Sequence, residues 1–192
     1  MEKSKILIID DERDWADSAK MLLQDKYDVE VVEHGEEGIE KIHQNYYDLL
    51  LIDWQLMGDK TGTDVMVEIK KFNKVIPIIL VSGKIDERKP LIEAIQKGAT
   101  DYVEKDTELP EKLPHAIENA LDKRDVVIRG FEKWLNRFED PNQVVLRTLS
   151  GKEYSAKQIL IEIKKDSEIG RRIREDIVKV VLELIQKGEV RS

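Results

Sequence analysis

Over the first 105 or so residues, short apolar runs alternate with stretches in which apolar residues recur every three or four positions. The runs predict strands, and the recurring pattern predicts amphipathic helices. The predicted strands are residues 5–10, 28–33, 48–53, 76–82 and 100–104, and the predicted helices are residues 13–25, 35–45, 61–73 and 86–97. Because strands that alternate with helices usually pair in parallel, we expect an α/β fold with a five-stranded parallel sheet covered on both faces.

A fifth helix is predicted after Thr107, a suitable N-cap, and its apolar pattern continues further than a sheet of this size needs. Asp140-Pro141 ends it, because proline cannot continue a helix. The extension predicts either a linker helix that packs on its own chain or the seam of a coiled-coil dimer. The apolar positions at three- and four-residue spacing are Ile117, Leu121, Ile128, Phe131, Leu135 and Phe138.

The remaining residues predict two more helices. The sequence from Ser155 to Gln158 is typical of a capping box that opens a helix over 156–165. Asp166 or Ser167 can cap a second helix over 168–187, which Gly188 closes. We therefore predict an α/β domain over 1–122, a linker helix over 123–140 and a small α-helical domain over 141–192.

Composition narrows the possible functions. The chain has no cysteine and only three histidines, so disulfides are excluded and a zinc enzyme is not expected. Residues 1–139 carry 21 basic and 31 acidic side chains, whereas residues 140–192 carry 11 and 9. The acidic part repels nucleic acid and favours cations. No apolar run approaches the length of a membrane span and the N-terminus lacks a secretory signal, so we expect a cytoplasmic protein with no membrane partner.

Polar residues with distinctive chemistry follow four of the predicted strands. Asp10 and Asp11 end the first strand, Asp53 the third, Ser82 the fourth and Lys105 the fifth. The carboxyl ends of parallel strands meet at one edge of the sheet, which is where such sheets bind ligands. Three crowded carboxylates repel one another unless a cation lies among them, and an all-oxygen site suits Mg²⁺. The sequence thus predicts a magnesium site.

The hydroxyl and the ammonium suggest what this metal serves. A phosphoryl group on one carboxylate would share its oxygens among Mg²⁺, Ser82 and Lys105. Asp53 is the best acceptor because the apolar run "LLLID" should hold it rigidly. Taken singly, these residues could be a turn former, a helix cap and a solvated lysine; their combination and order point to phosphoryl transfer.

Four stretches together resemble the receiver domain of bacterial two-component response regulators over about residues 3–122. They are "ILIIDDE", "LLLIDWQLMGDKTG", "ILVSG" and "DYVEK". The resemblance implies a doubly wound, flavodoxin-like sheet with strand order 2-1-3-4-5. It implies a signalling protein that accepts phosphate on Asp53 from a histidine kinase, a phosphotransfer protein or a small phosphodonor, with no other enzymatic activity.

The resemblance also implies roles for the other site residues. Asp11 and Asp53 would bind Mg²⁺ directly, the backbone carbonyl of Gln55 would be a further ligand, and Asp10 would act mostly through water. Ser82 and Lys105 would hold the phosphoryl oxygens. Tyr102 matches the aromatic switch residue, which would rotate into the space that Ser82 vacates on phosphorylation.

Two stretches depart from the family pattern. The family usually has proline four residues after the acceptor and glycine eight after it, whereas here Met57 takes the first place and Gly62 comes nine after. The family also has Lys-Pro, commonly with a cis bond, where this chain has Lys105-Asp106. Since a non-proline cis bond costs about 2.5–4 kcal/mol, we expect either a trans bond that repositions Lys105 or a cis bond that lowers stability.

Two alternatives concern the class of protein. A phosphohydrolase of the haloacid-dehalogenase type also uses a strand-end Asp, a Ser or Thr and a Lys, but it needs a second Asp two residues after the first, where this chain has Glu12. The tail could be a winged-helix DNA binder, since it contains Arg171, Arg172 and Arg174. We favour a helical module that contacts protein or self-associates, because the predicted last helix has only a narrow polar strip, half of it acidic, and no wing strand follows.

Overall fold

A computed structural model describes residues 3–83, 92, 94–106, 108–123, 126–135, 139–148 and 150–186. Contacts divide the chain into two compact units, Met1–Arg124 and Asp125–Ser192. Among the described residues, no helix combines the length and the apolar character that crossing a membrane requires.

The first unit contains the predicted sheet. Its strands are parallel and lie in the order β2-β1-β3-β4-β5, which confirms the flavodoxin-like topology. They are β1 (Lys5–Ile9), β2 (Asp28–Val32), β3 (Leu49–Asp53), β4 (Ile78–Ser82) and β5 (Asp101–Glu104). The helices are α1 (Arg13–Leu23), α2 (Gly35–Gln44), α3 (Gly62–Phe72) and α4 (Leu109–Asp122). Residues 94–96 are also helical, and most of the helix predicted over 86–97 lies outside the described residues, as does the predicted cap Thr107.

The sheet separates two apolar cores. Alternate residues of β1 point to opposite faces, so Ile6 and Ile8 pack with α1 and α4, whereas Leu7 and Ile9 pack with α2 and α3. Every residue of β3 is buried. This coverage on both faces explains why the central strands are continuously apolar. It also fixes the position of Asp53, the last residue of β3, at the edge of the sheet.

The second unit contains three helices and a hairpin. The helices are α5 (Val126–Leu135), α6 (Ala156–Lys164) and α7 (Glu168–Gln186). The first lies within the predicted linker helix, and the other two match the predicted helices of the tail. The strands β6 (Val144–Arg147) and β7 (Glu153–Ser155) pair antiparallel, and the sequence pattern did not predict them. Ser155 and Gln158 form the predicted capping box, with the Ser155 hydroxyl accepting from the Gln158 N–H at 3.2 Å.

The predicted long helix corresponds to α4 and α5, which belong to different units. Lys123 caps α4, and residues 124 and 125 between the two helices lie outside the described residues. Ile117 and Leu121 are buried in the core of the first unit, and Ile128 is buried in the second. At these three positions the burial favours packing on the same chain over a dimer seam. Phe131 and Leu135 are half-buried, and Phe138 lies outside the described residues. The division into receiver, linker and output domain stays a prediction.

Candidate functional site

Four strand ends bring the predicted site residues to one rim of the sheet. In the sheet register Asp53 lies beside Val81 of β4, and Ser82 lies beside Glu104 of β5. The N–H of Lys105 donates to the carbonyl of Ser82 at 2.7 Å, which continues the ladder past the end of β5. Backbone pairing therefore fixes the Cα positions of Asp53, Ser82 and Lys105 relative to one another.

Three carboxylates meet on this rim. Asp10, Asp11 and Asp53 each offer one oxygen, and these oxygens lie within 4.8 Å of one another. Asp10 and Asp53 are buried and Asp11 is half-buried. Burial raises the pKa of Asp10 to about 6 and also raises that of Asp53, because desolvation disfavours the charged carboxylates. The all-oxygen donor set and its crowded negative charge fit a hard divalent cation such as Mg²⁺.

Lys105 lies among these acids. Its Nζ is 2.8 Å from Oδ2 of Asp10, 3.2 Å from Oδ1 of Asp53 and 3.5 Å from Oε1 of Glu12. The side chains of Lys105, Asp10 and Asp53 are only 6%, 1% and 5% exposed. Burial lowers the pKa of Lys105, but the two buried carboxylates outweigh that effect and the pKa is raised overall. The lysine therefore stays a cation next to Asp53.

Ser82 and Tyr102 lie on the β4 and β5 side of the rim. Ser82 is buried at the end of β4, directly after Val81. Tyr102 is half-buried against the core shared by α2 and α3, and its hydroxyl is 3.5 Å from the carbonyl oxygen of Gly83. Burial raises the pKa of the Tyr102 hydroxyl. The two proposed switch residues thus meet around the end of one strand.

The loop after Asp53 accommodates its extra residue without disturbing α3. Gln55 and Met57 are exposed in this loop, and Gly58 adopts φ 130°, which favours glycine. Thr61 then caps α3 through a capping box with Asp64. The N–H of Met57 donates to Oδ1 of Asp11 at 3.3 Å, a contact that a proline at this position could not make.

The Lys105-Asp106 peptide is trans, since no cis bond occurs in the described parts of the chain. The sequence led us to expect that a trans bond would reposition Lys105. The structure nevertheless places its ammonium within ion-pair distance of both Asp10 and Asp53. The trans bond therefore does not remove the lysine from the site.

Sequence reasoning did not single out Trp15 and named Gly62 only as a departure from the family pattern, although both residues shape the site. Trp15 lies on the first turn of α1, and its ring centroid is 4.6 Å from Nζ of Lys105. Its place in the first turn of the helix that follows Asp10 and Asp11 was the available signal, because that turn begins close to the acids. The second is Gly62, where a Cβ atom would lie 1.8 Å from the carbonyl oxygen of Asp53.

Comparison with known proteins identifies the class that this fold and site define. The model of the response regulator receiver domain matches residues 6–118, more than half of the chain. The chain belongs to that family.

Individual relatives are consistent with this membership. The response regulator ArlR of Staphylococcus saprophyticus is 33% identical over 111 residues, which are 57% of this chain and 49% of that protein. The transcriptional regulatory protein DltR of Streptococcus agalactiae is 31% identical over 110 residues, 57% of this chain and 48% of that protein. This chain thus spans about half the length of these curated relatives.

A solved structure gives the same result. The CheY-like receiver domain protein of Methanospirillum hungatei is 29% identical, with a TM-score of 0.59 over 64% of this chain and 96% of that one. The similarity therefore concerns the receiver portion of this chain.

Proposed function

We propose that this protein is a two-component response regulator that accepts a phosphoryl group on Asp53 in the presence of Mg²⁺. The observation that carries the proposal is the buried Asp53 carboxylate, with an ammonium 3.2 Å away and two further carboxylates close enough to share one cation. The phosphodonor would be a histidine kinase, a phosphotransfer protein or a small acyl phosphate, and the exchange would take place in the cytoplasm.

The residues divide the work of the transfer. An oxygen of Asp53 forms a bond to phosphorus while the bond from phosphorus to the donor breaks, and the donor leaves with that electron pair. Lys105 and the Ser82 hydroxyl would contact the phosphoryl oxygens as charge develops there. Asp10, Asp11, Asp53 and the carbonyl of Gln55 would hold Mg²⁺, which when bound neutralises phosphoryl charge.

A shift in population would then carry the signal. Contact between the phosphoryl group and Ser82 would draw that side chain inward, and Tyr102 would rotate into the vacated space. Phosphorylation can shift this equilibrium only as far as its contacts differ between the two states.

Phosphorylation with acetyl phosphate and Mg²⁺ tests the acceptor. Intact-mass spectrometry should show one added phosphate on the wild type and on Asp59→Asn, a matched change at an exposed aspartate of the neighbouring loop. Asp53→Asn should show none. Phosphate that persists on Asp53→Asn would refute the assignment. Multiple turnovers of p-nitrophenyl phosphate would instead support a phosphohydrolase.

For the second unit we propose contact with protein. Two of the three arginines that suggested DNA binding are engaged within the turn between α6 and α7, since Arg171 donates to the carbonyl of Asp166 at 2.6 Å and Arg174 pairs with its carboxylate at 3.2 Å. Val178 and Val180 of α7 are exposed. Exposed apolar side chains on α7, together with arginines that are already engaged, suit a protein partner better than a phosphate backbone.

DNA binding is the second candidate. The helices α6 and α7 are joined by three residues, a spacing typical of helix-turn-helix motifs, and DltR is named a transcriptional regulatory protein. Retention on immobilised duplex DNA that falls steeply with added salt, and that Arg172→Gln weakens, would favour this candidate. Light scattering with and without beryllofluoride would detect self-association on activation.

A further inference from the structure

An aromatic ring completes the surroundings of Lys105. Nζ of Lys105 lies 4.6 Å from the ring centroid of Trp15, in addition to its contacts with Asp10 and Asp53. The negative face of an indole attracts an ammonium, and the attraction is greatest where water is excluded. Because the Lys105 side chain is only 6% exposed, the ring acts here without much competition from solvent.

The ring face of Trp15 is the part of the side chain that meets the ammonium, since Nζ of Lys105 lies over it. Phenylalanine would fill much of the same space, but its ring attracts a cation less strongly than indole does.

We propose that Trp15 is a positioning residue for phosphoryl transfer, which keeps the Lys105 ammonium beside Asp53. The lysine side chain has four rotatable carbons, and the carboxylates of Asp10 and Glu12 also attract its charge. The ring favours positions of the ammonium over its face, and at one such position Nζ lies 3.2 Å from Oδ1 of Asp53. The inference rests on the proposed function, because its effect is exerted on the phosphoryl oxygens.

Rates and stability of matched variants test the proposal. The phosphorylation rate constant with acetyl phosphate and Mg²⁺ should fall roughly fivefold to thirtyfold in Trp15→Leu and less in Trp15→Phe. Trp15→Phe should keep most of the thermal midpoint, since phenylalanine fills much of the same space. If Trp15 served stability alone, a variant would phosphorylate more slowly only when its thermal midpoint was also lower.

A second background separates positioning from general damage. In Lys105→Met the two Trp15 substitutions should cause no further loss of rate, because the cation is absent. Equal losses in both backgrounds, or an unchanged rate in Trp15→Leu, would overturn the inference while the proposed function stands. Failure of the wild type to accept phosphate would overturn the proposed function and this inference together.

Fluorescence gives a readout that is independent of phosphorylation. With Trp54→Phe and Trp134→Phe, Trp15 is the only indole left in the chain. Its emission should change when Lys105→Met removes the ammonium from its face. An unchanged spectrum would contradict the contact itself, whatever the wild type does with acetyl phosphate.

Discussion

Replacing Gly62 by alanine should damage both the fold and the site. Gly62 is the first residue of α3, and its N–H donates to the carbonyl of Trp54 at 3.1 Å. A Cβ atom there would lie 1.8 Å from the carbonyl oxygen of Asp53 and 2.8 Å from its carbonyl carbon. Both obstacles are backbone atoms, so no change of rotamer can relieve the clash.

The size of the effect follows from the distance that must be recovered. The contact has to lengthen by more than roughly 1 Å, and α3 cannot simply move away because Val65, Met66 and Ile69 are fully buried. Overpacking of a core typically costs about 1–3 kcal/mol, and we expect the top of that range. If Asp53 moves instead, a misplacement of about 1 Å can lower the phosphorylation rate about a hundredfold.

Urea unfolding of a Trp134→Phe background measures the loss, because the remaining indoles, Trp15 and Trp54, then report on the first unit. Gly83→Ala is the matched control, since a Cβ at Gly83 meets no atom within 4 Å in the described ranges. It should change the free energy of unfolding by less than about 0.5 kcal/mol. A Gly62→Ala protein with the midpoint and phosphorylation rate of its background would refute the reasoning.

Three further predictions concern caps and titrating groups. Thr61→Ala should cost about 1 kcal/mol in urea unfolding, because it removes the capping box with Asp64, whereas Thr61→Ser should restore most of it. In EDTA, protonation of Asp10 should stabilise the folded state, because its pKa is raised to about 6 from 3.8. This stabilisation is complete below pH 3.8, is lost as the pH rises through 6, and amounts to at most about 3 kcal/mol. Asp10→Asn should lack this dependence, and equal pH profiles would contradict it. Burial lowers the pKa of Lys70 to about 8 from 10.5, because it disfavours the charged ammonium. The contribution of the neutral side chain to the free energy of unfolding is therefore complete above pH 10.5 and is lost as the pH falls through 8. Lys70→Met should therefore be more stable at pH 7 by at most about 3 kcal/mol, reduced by the lost hydrogen bond to the Ile76 carbonyl, and its advantage should shrink towards pH 10.

The sheet could be predicted because its strands are buried on both faces. A strand such as "LLLID" is continuously apolar only when helices cover it on each side, and that requirement fixes both the α/β class and the parallel pairing. The same geometry predicts that Asp10, Asp53 and Lys105 meet at one rim of the sheet.

Contacts between distant residues were beyond the sequence pattern. The position of Trp15 over Lys105 depends on how the first turn of α1 meets the residue that follows β5, and the close approach of Gly62 to Asp53 depends on the path of an altered loop. Periodicity indicates which face of a helix is apolar, but it does not indicate which cation an aromatic ring will contact.

The hairpin β6–β7 was missed for another reason. Its strands have four and three residues, and only the Ser150-Gly151 pair between them signalled a turn.

Asp106 shows how a departure from the family pattern can keep the site intact. Its carboxylate accepts from the N–H of Glu108 at 2.9 Å and pairs with Lys112 at 2.9 Å, so the side chain starts the turn that leads into α4. The preceding residue, Lys105, is held by the bond from its N–H to the carbonyl of Ser82. The lysine is thus fixed by the sheet on one side and by an aspartate-capped turn on the other, and neither contact requires proline. Loss of that turn in Asp106→Ala should slow phosphorylation more than Lys112→Ala does, because only the first change removes the hydrogen bond that the Asp106 carboxylate accepts from the N–H of Glu108. Equal rates in the two variants would show that the strand ladder alone is enough.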